Sequence, residues 1–75
     1  MTKLPRDIKG QQLIVKLKRI GFVEKGGKGS HVRLVHPDGR WTQVAVHPKP
    51  IPQGTLRVIL RQVELSVDKL LEILK

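Results

Sequence analysis

Residues 30–47 read Ser30-His31-Val32-Arg33-Leu34-Val35-His36, then Pro37-Asp38-Gly39, then Arg40-Trp41-Thr42-Gln43-Val44-Ala45-Val46-His47. Both flanks alternate with the period of two that sends successive side chains to opposite faces of a strand. In the first flank Val32 and Leu34 share one face, and His31, Arg33 and Val35 share the other. In the second, Thr42, Val44 and Val46 point one way; Trp41, Gln43, Ala45 and His47 point the other. Pro37-Asp38-Gly39 between them is a turn, since proline pre-sets φ, aspartate bonds to nearby backbone and glycine tolerates the left-handed region. Parity then fixes the register. For Val32 and Leu34 to meet Val44 and Val46, facing residue numbers must sum to an even value. A three-residue loop with Gly39 left-handed provides that; a two-residue loop would turn every side chain over. The spacing therefore predicts His36 opposite Arg40, Arg33 opposite Gln43 and His31 opposite Ala45, with His47 diagonal to His31. One face of the hairpin is apolar, and the other carries His31, Arg33 and His47.

Upstream, Phe22-Val23-Glu24-Lys25 reads as a short strand, ended by a glycine-rich loop at Lys25-Gly26-Gly27-Lys28-Gly29. Before it, Leu13, Leu17 and Ile20 recur at i, i+4, i+7, with Ile14 widening the stripe, which predicts an amphipathic helix over 10–20. Lys16, Lys18 and Arg19 crowd its exposed side and last turn, where cations favour the negative end of the dipole. Gly21 supplies the left-handed residue that closes it. Residues 1–8 read as a loosely ordered lead-in, with Pro5 barring helix just before it.

Downstream, Lys49-Pro50-Ile51-Pro52 is a rigid connector, as neither proline can donate to a ladder. Leu56, Ile59, Leu60 and Val63 predict a second helix over 54–63, with Thr55 as its N-cap. Ser66 caps a third helix over 66–75, striped by Val67, Leu70, Leu71 and Leu74, with Leu65 placed to staple onto Leu70. The order is helix, three strands, helix, helix. This is a single α+β domain over 1–75, with helices on the one apolar face of a three-stranded antiparallel sheet spanning 22–47. The face bearing His31 stays open.

Seventy-five residues are close to the smallest size at which one apolar core suffices. The absence of cysteine excludes a disulfide framework and thiolate metal sites. The apolar runs are far shorter than the ~20 residues that span a bilayer, and Met1 to Asp7 has no apolar signal core. A cytoplasmic protein without a membrane partner is expected. Charge is the dominant global feature: fifteen Lys and Arg against six Asp and Glu give +9 at pH 7. Such a surface calls for a polyanionic partner. Solubility alone needs much less charge.

Histidine exchanges protons near neutrality, its ordinary pKa being about 6.5. Set beside glycine-rich backbone and lysines, His31 suits phosphate chemistry on RNA; an isolated strand histidine is otherwise a solvated surface residue. RNA carries its own nucleophile, the 2′-hydroxyl, so His31 would serve as general base to it or as acid to the leaving 5′-oxygen. Lys28 and the amides of Gly27, Gly29 and Ser30 would stabilise the phosphorane. Lys25, Lys28 and Arg33 would hold phosphates, which sets position without reading sequence. Arg57 and Arg61 either extend that track or solvate their helix. Trp41 either stacks on a base or packs against Val35 or a partner. His47 is a candidate second acid or substrate contact, and His36 reads as a solvated strand end. No Asp, Glu or Cys accompanies His31 at ligand spacing, so neither metal nor other cofactor is expected.

Taken together, Leu17-Lys18-Arg19-Ile20-Gly21-Phe22, Gly29-Ser30-His31, His36-Pro37-Asp38-Gly39-Arg40, Gly54-Thr55-Leu56-Arg57-Val58-Ile59-Leu60-Arg61-Gln62 and the Leu65-Ser66 restart resemble the HicA (YcfA-like) toxins. Those are small mRNA-cleaving ribonucleases of type II bacterial toxin–antitoxin pairs. The resemblance covers nearly the whole chain, and the ordered set of motifs is specific where each motif alone is weak. It implies a fold similar to the double-stranded RNA-binding domain, a catalytic histidine after Gly-Ser at His31, mRNA as substrate, and a HicB-like antitoxin that blocks the site. One departure stands out: the family often has Pro-x-His near the end of the third strand, where this chain has Ala45-Val46-His47. Two other functions compete with the metal-independent endoribonuclease. One is a non-catalytic RNA-binding module of the same fold. The other is DNA binding through helix 54–63, which leaves little more than Arg57, Arg61 and Gln62 for a groove.

Overall fold

The structure is a computed structural model and describes residues 3–75. Its elements are α1 (Gly10–Arg19), β1 (Val23–Lys28), β2 (His31–Val35), β3 (Trp41–Ala45), α2 (Gln53–Gln62) and α3 (Val67–Ile73). The strands form one antiparallel sheet in the order β1-β2-β3. This is the α-β-β-β-α-α arrangement expected of a double-stranded-RNA-binding-domain-like fold. The β2–β3 register is the one parity requires: His31 faces Ala45, Val32 faces Val44, Arg33 faces Gln43, Leu34 faces Thr42 and Val35 faces Trp41. The hairpin closes with Gly39 at φ +102° and the His36 amide donating to the Arg40 carbonyl.

The core lies between the even-numbered face of β2–β3 and the helices. Leu34 and Val44 meet Leu13, Ile14 and Leu17 of α1, Leu56, Ile59 and Leu60 of α2, and Leu70 of α3. Removing the side chain of a buried leucine from such a core costs about 2–5 kcal/mol. Thr42 also faces inward and is fully buried; its hydroxyl donates to Gln62 Oε1 at 2.7 Å, so the polar group is satisfied. α1 ends as Gly21 predicts. The Phe22 amide donates to the Leu17 carbonyl and the Gly21 amide to the Lys18 carbonyl, with Gly21 at φ +106°. Ser66 caps α3 through its side chain, accepting from the Lys69 amide.

Three expectations about the elements are corrected. The lead-in is part of the core from Leu4 onward: Leu4 and Ile8 are buried, and the Ile51 amide donates to the Ile8 carbonyl. The Gln53 amide group also donates to the Leu4 carbonyl at 3.1 Å. Two apolar residues without periodic neighbours gave no pattern, and it is the proline connector that holds them. Met1 and Thr2 lie outside the described residues. Second, α2 begins at Gln53 with Pro52 as N-cap and no side-chain cap, so Thr55 sits in its first turn. The tether of residues 51–53 to the lead-in starts the helix earlier than a threonine cap would. Third, β1 continues to Lys28, and the long glycine loop does not exist.

Candidate nucleic-acid interface and active site

The third correction builds the site. β1 pairs with β2 through Val23–Val35, Glu24–Leu34, Gly27–Val32 and Lys28–His31, with a bulge between Glu24 and Gly27. Lys25 and Gly26 thus oppose the single Arg33. Paired residues share a face, so Glu24 lies on the helix side, where its carboxylate meets Lys18 of α1 at 3.1 Å. Strict alternation from Glu24 would send Lys28 to the helix side as well. The extra residue of the bulge reverses that parity and delivers Lys28 to the open face, directly across from His31. A methyl group on Gly27, at φ +132°, would collide with the His31 carbonyl oxygen and crowd the Val32 Cα. Only glycine lets β1 approach β2 this closely.

The connection left between Lys28 and His31 is the two-residue turn Gly29-Ser30, with Gly29 at φ +63°. Glycine in the first of two central positions is the type II′ hairpin preference. The Ser30 carbonyl accepts from the Val46 amide at 2.8 Å, which carries the β2–β3 ladder past Ala45. His31 is therefore anchored through backbone on both sides, by β1 and by β3. Its side chain is exposed, and no hydrogen bond to it is found among the described residues.

Along the open face, the rows across the strands are Lys28–His31–Ala45, then the bulge with Arg33–Gln43, then Val23–Val35–Trp41. The Arg33 guanidinium lies over the Trp41 indole, 4.8 Å from its centroid. Among the described residues, Lys25, Lys28 and Arg33 have no carboxylate within salt-bridge distance. The face thus joins uncompensated cations, an exposed histidine and an arginine-backed aromatic. That is the surface composition single-stranded nucleic acid uses.

The family model for the HicA toxin of bacterial toxin–antitoxin systems matches residues 10–65. The chain belongs to the HicA toxin family. No curated protein matches it. The matched HicA region runs from the start of α1 to the residue after Glu64, so it contains the whole open face, while the lead-in and α3 fall outside it.

The HicA sheet does not gather every residue singled out by the sequence. Lys25, Lys28, Gly29, Ser30, His31, Arg33 and Trp41 belong to the β1–β2–β3 surface. His47 lies beyond the end of β3, exposed, in the wall of an apolar groove of about 510 Å³ shared with Ala45, Pro48, Pro50 and Ile59. Because Ala45 pairs with His31, this groove adjoins the catalytic candidate without containing it. Arg57 and Arg61 are exposed on α2, which packs on the helix side of the sheet, so they do not belong to the open face that carries His31. Among the described residues no three of His, Cys, Asp and Glu come together.

His36 is not the solvated strand end it resembled. Its side chain is 20% exposed. It packs edge-on against Phe22 with ring centroids 5.0 Å apart, and its Nδ1 accepts from the Asp38 amide at 3.2 Å. Its even number places it on the helix side with Leu34, which parity already implied. The residue that sequence reasoning missed is Gly27. Paired glycines inside a strand pattern are a bulge signal, and that signal was present at Gly26-Gly27.

Proposed function

We propose that this HicA-family chain is a metal-independent endoribonuclease that cleaves mRNA at His31. The observation that carries the reading is the placement of His31. It is exposed at the start of β2, with Lys28 directly across from it and no carboxylate among residues 25–35. RNA phosphates dock on Lys25, Lys28 and Arg33. The His31 imidazole takes the proton of the 2′-hydroxyl, and O2′ attacks the adjacent phosphorus. The P–O5′ bond breaks, and the leaving oxygen takes a proton from imidazolium or solvent. The products are a 2′,3′-cyclic phosphate and a 5′-hydroxyl. Lys28 and the Gly29 and Ser30 amides offset the charge that builds on the phosphorane oxygens. As the toxin of a toxin–antitoxin pair, the chain is silenced by a HicB-like antitoxin whose acidic surface covers this basic face.

One observation favours a second reading. Among the described residues His31 has no hydrogen-bonded partner to orient its ring, as a non-catalytic RNA-binding module of the same fold would tolerate. Uniformly labelled mRNA incubated in EDTA with the protein and with His31→Ala separates the two. Cleavage by the unmodified protein alone, leaving cyclic-phosphate ends, supports the nuclease. RNA binding without cleavage by the folded protein overturns it.

A further inference from the structure

α2 ends with the same pair of backbone bonds that closes α1: the Leu65 amide donates to the Leu60 carbonyl and the Glu64 amide to the Arg61 carbonyl. The left-handed residue of this closure is Glu64, at φ +55°, where α1 uses Gly21. A side chain there is conformationally unfavourable. The Glu64 carboxylate also has no cation within salt-bridge distance among the described residues, in a chain with fifteen Lys and Arg. It borders an open pocket of about 460 Å³ formed with Asp38, Gly39, Arg40, Trp41 and Gln62.

The polar groups of the pocket sort cleanly. Asp38 is engaged by Arg40, whose Nε lies 2.8 Å away, and Arg40 also donates to the Val63 carbonyl. Gln62 accepts from Thr42 through Oε1, which leaves its amide N–H groups as donors. Arg33 covers one face of Trp41 from the β2 side and does not line the pocket, which lies beyond the edge of β3. Trp41, the Glu64 carboxylate and the Gln62 amide therefore line one pocket, and among the described residues neither that carboxylate nor the Gln62 N–H groups have a hydrogen-bonding or ion-pair partner.

We propose that this pocket binds a guanine of the RNA substrate, stacked on Trp41 and read by Glu64. The inference rests on the RNA-cleaving reading above and adds where the substrate is read. Guanine alone among the four bases presents two adjacent donors, N1–H and N2–H, to both oxygens of one carboxylate, and its O6 accepts from an amide such as Gln62. Uracil offers the carboxylate a single N–H. Trp41 stands four residues along β3 from Ala45, roughly 14 Å from the His31 row. The guanine read here lies a few nucleotides from the scissile bond.

Trp41 is the only tryptophan, so its fluorescence reports the pocket directly. The test uses the full chain carrying His31→Ala, so that nothing is cut, and titrates oligouridine strands carrying one guanosine, inosine or uridine at the centre. Guanosine should quench Trp41 and bind roughly tenfold more tightly than inosine, which lacks the N2 amino group, or uridine. Adding Glu64→Gly should erase the preference while raising the melting temperature, since glycine relieves the left-handed strain. Glu64→Gln, which keeps the size and replaces one acceptor oxygen by a donor, should also erase it. Equal binding of all three strands, or a preference that survives both substitutions, overturns the proposal. The fate of the nuclease is read separately: cleavage of labelled mRNA by the chain with His31 intact, without guanine dependence in the titration, sinks this inference alone. Guanine-dependent quenching without any cleavage sinks the nuclease and leaves this reading standing for a binding module.

Discussion

The two hairpins of the sheet are closed in opposite ways. The β2–β3 turn is stitched by side chains. Asp38 receives the Arg40 amide at 3.0 Å and its Nε at 2.8 Å, Arg40 reaches across to the Val63 carbonyl at 2.6 Å, and His36 packs on Phe22. The β1–β2 turn has none of this. It is built from glycine backbone, a bulge and one tight approach of strand to strand, and its side chains Lys25, Lys28 and His31 have no partner among the described residues. One turn uses its chemistry to hold the domain together. The other is held by backbone alone, which leaves its chemistry for something outside the molecule.

If that division is right, substitutions in the two turns should separate activity from stability. His31→Ala should lower RNA cleavage by roughly 10²–10⁴-fold and leave stability within about 0.5 kcal/mol, as for an exposed side chain without partners. A comparable loss in both quantities by kinetics and chemical denaturation would erase the contrast. Gly27→Ala tests the backbone side of the same turn. Its methyl group has no room against the His31 carbonyl, so about 3 kcal/mol of destabilisation is expected. That is roughly 12–24 °C in melting temperature for a domain of this size. Gly26→Ala, with open space around the added carbon, should carry only the strain of its positive φ and cost about 1 kcal/mol. Equal melting temperatures for the two alanine variants would mean that the close approach at Gly27 is not what holds β1.

In the stitched turn, Arg40→Ala removes a charge-assisted hydrogen bond to the end of α2, the ion pair with Asp38 and the contact over Phe22. The Arg40 side chain is 21% exposed, so the Val63 bond is partly shielded from water. The expected loss is about 2 kcal/mol by denaturant titration. A loss well under about 1 kcal/mol would show that the Arg40 contacts do not hold this turn.

Most of the fold was legible because it rests on period and parity. Residues 30–47 alternate cleanly, so one assumption about Gly39 placed His31 opposite Ala45 and sorted the β2–β3 part of the open face. The helices showed their stripes and Gly21 and Ser66 showed two of their ends. What was hidden lay where the chain breaks period. Leu4 and Ile8 join the core through a connector of prolines, with no repeat to announce them. In β1 the bulge changes parity between Glu24 and Gly27, so Lys28 reaches His31 by a step that alternation would have excluded. Gly26-Gly27 reads as a loop in the sequence because glycine is a turn signal far more often than a bulge. Around the candidate site, the faces of β2 and β3 were thus legible, and the way β1 brings Lys28 to them was not.

The smallest effect belongs to Asp38, and it has a defined sign. The hydrogen bond from the Arg40 amide is the largest influence and holds its carboxyl below the ordinary value of 3.8; desolvation, next in size, opposes it, and the Arg40 guanidinium and His36 lower it further. A carboxyl whose folded pKa is depressed contributes stability above its unfolded pKa and loses it as pH falls through the folded value. The contribution of the stitched turn should therefore be complete at neutral pH and fade below about pH 4. Asp38→Asn keeps an acceptor oxygen for the Arg40 amide but cannot carry the charge. The melting temperature of the unmodified protein should exceed that of Asp38→Asn by a small margin at pH 6, and the two should converge as pH approaches 2. The carboxylate is exposed, so the margin is modest. The β1–β2 turn contains no acidic residue between Lys25 and Val35, and so has no counterpart to this titration. A gap that stays constant down to pH 2 would place the value of Asp38 in its hydrogen bond and not in its charge. The two turns would then differ in packing alone.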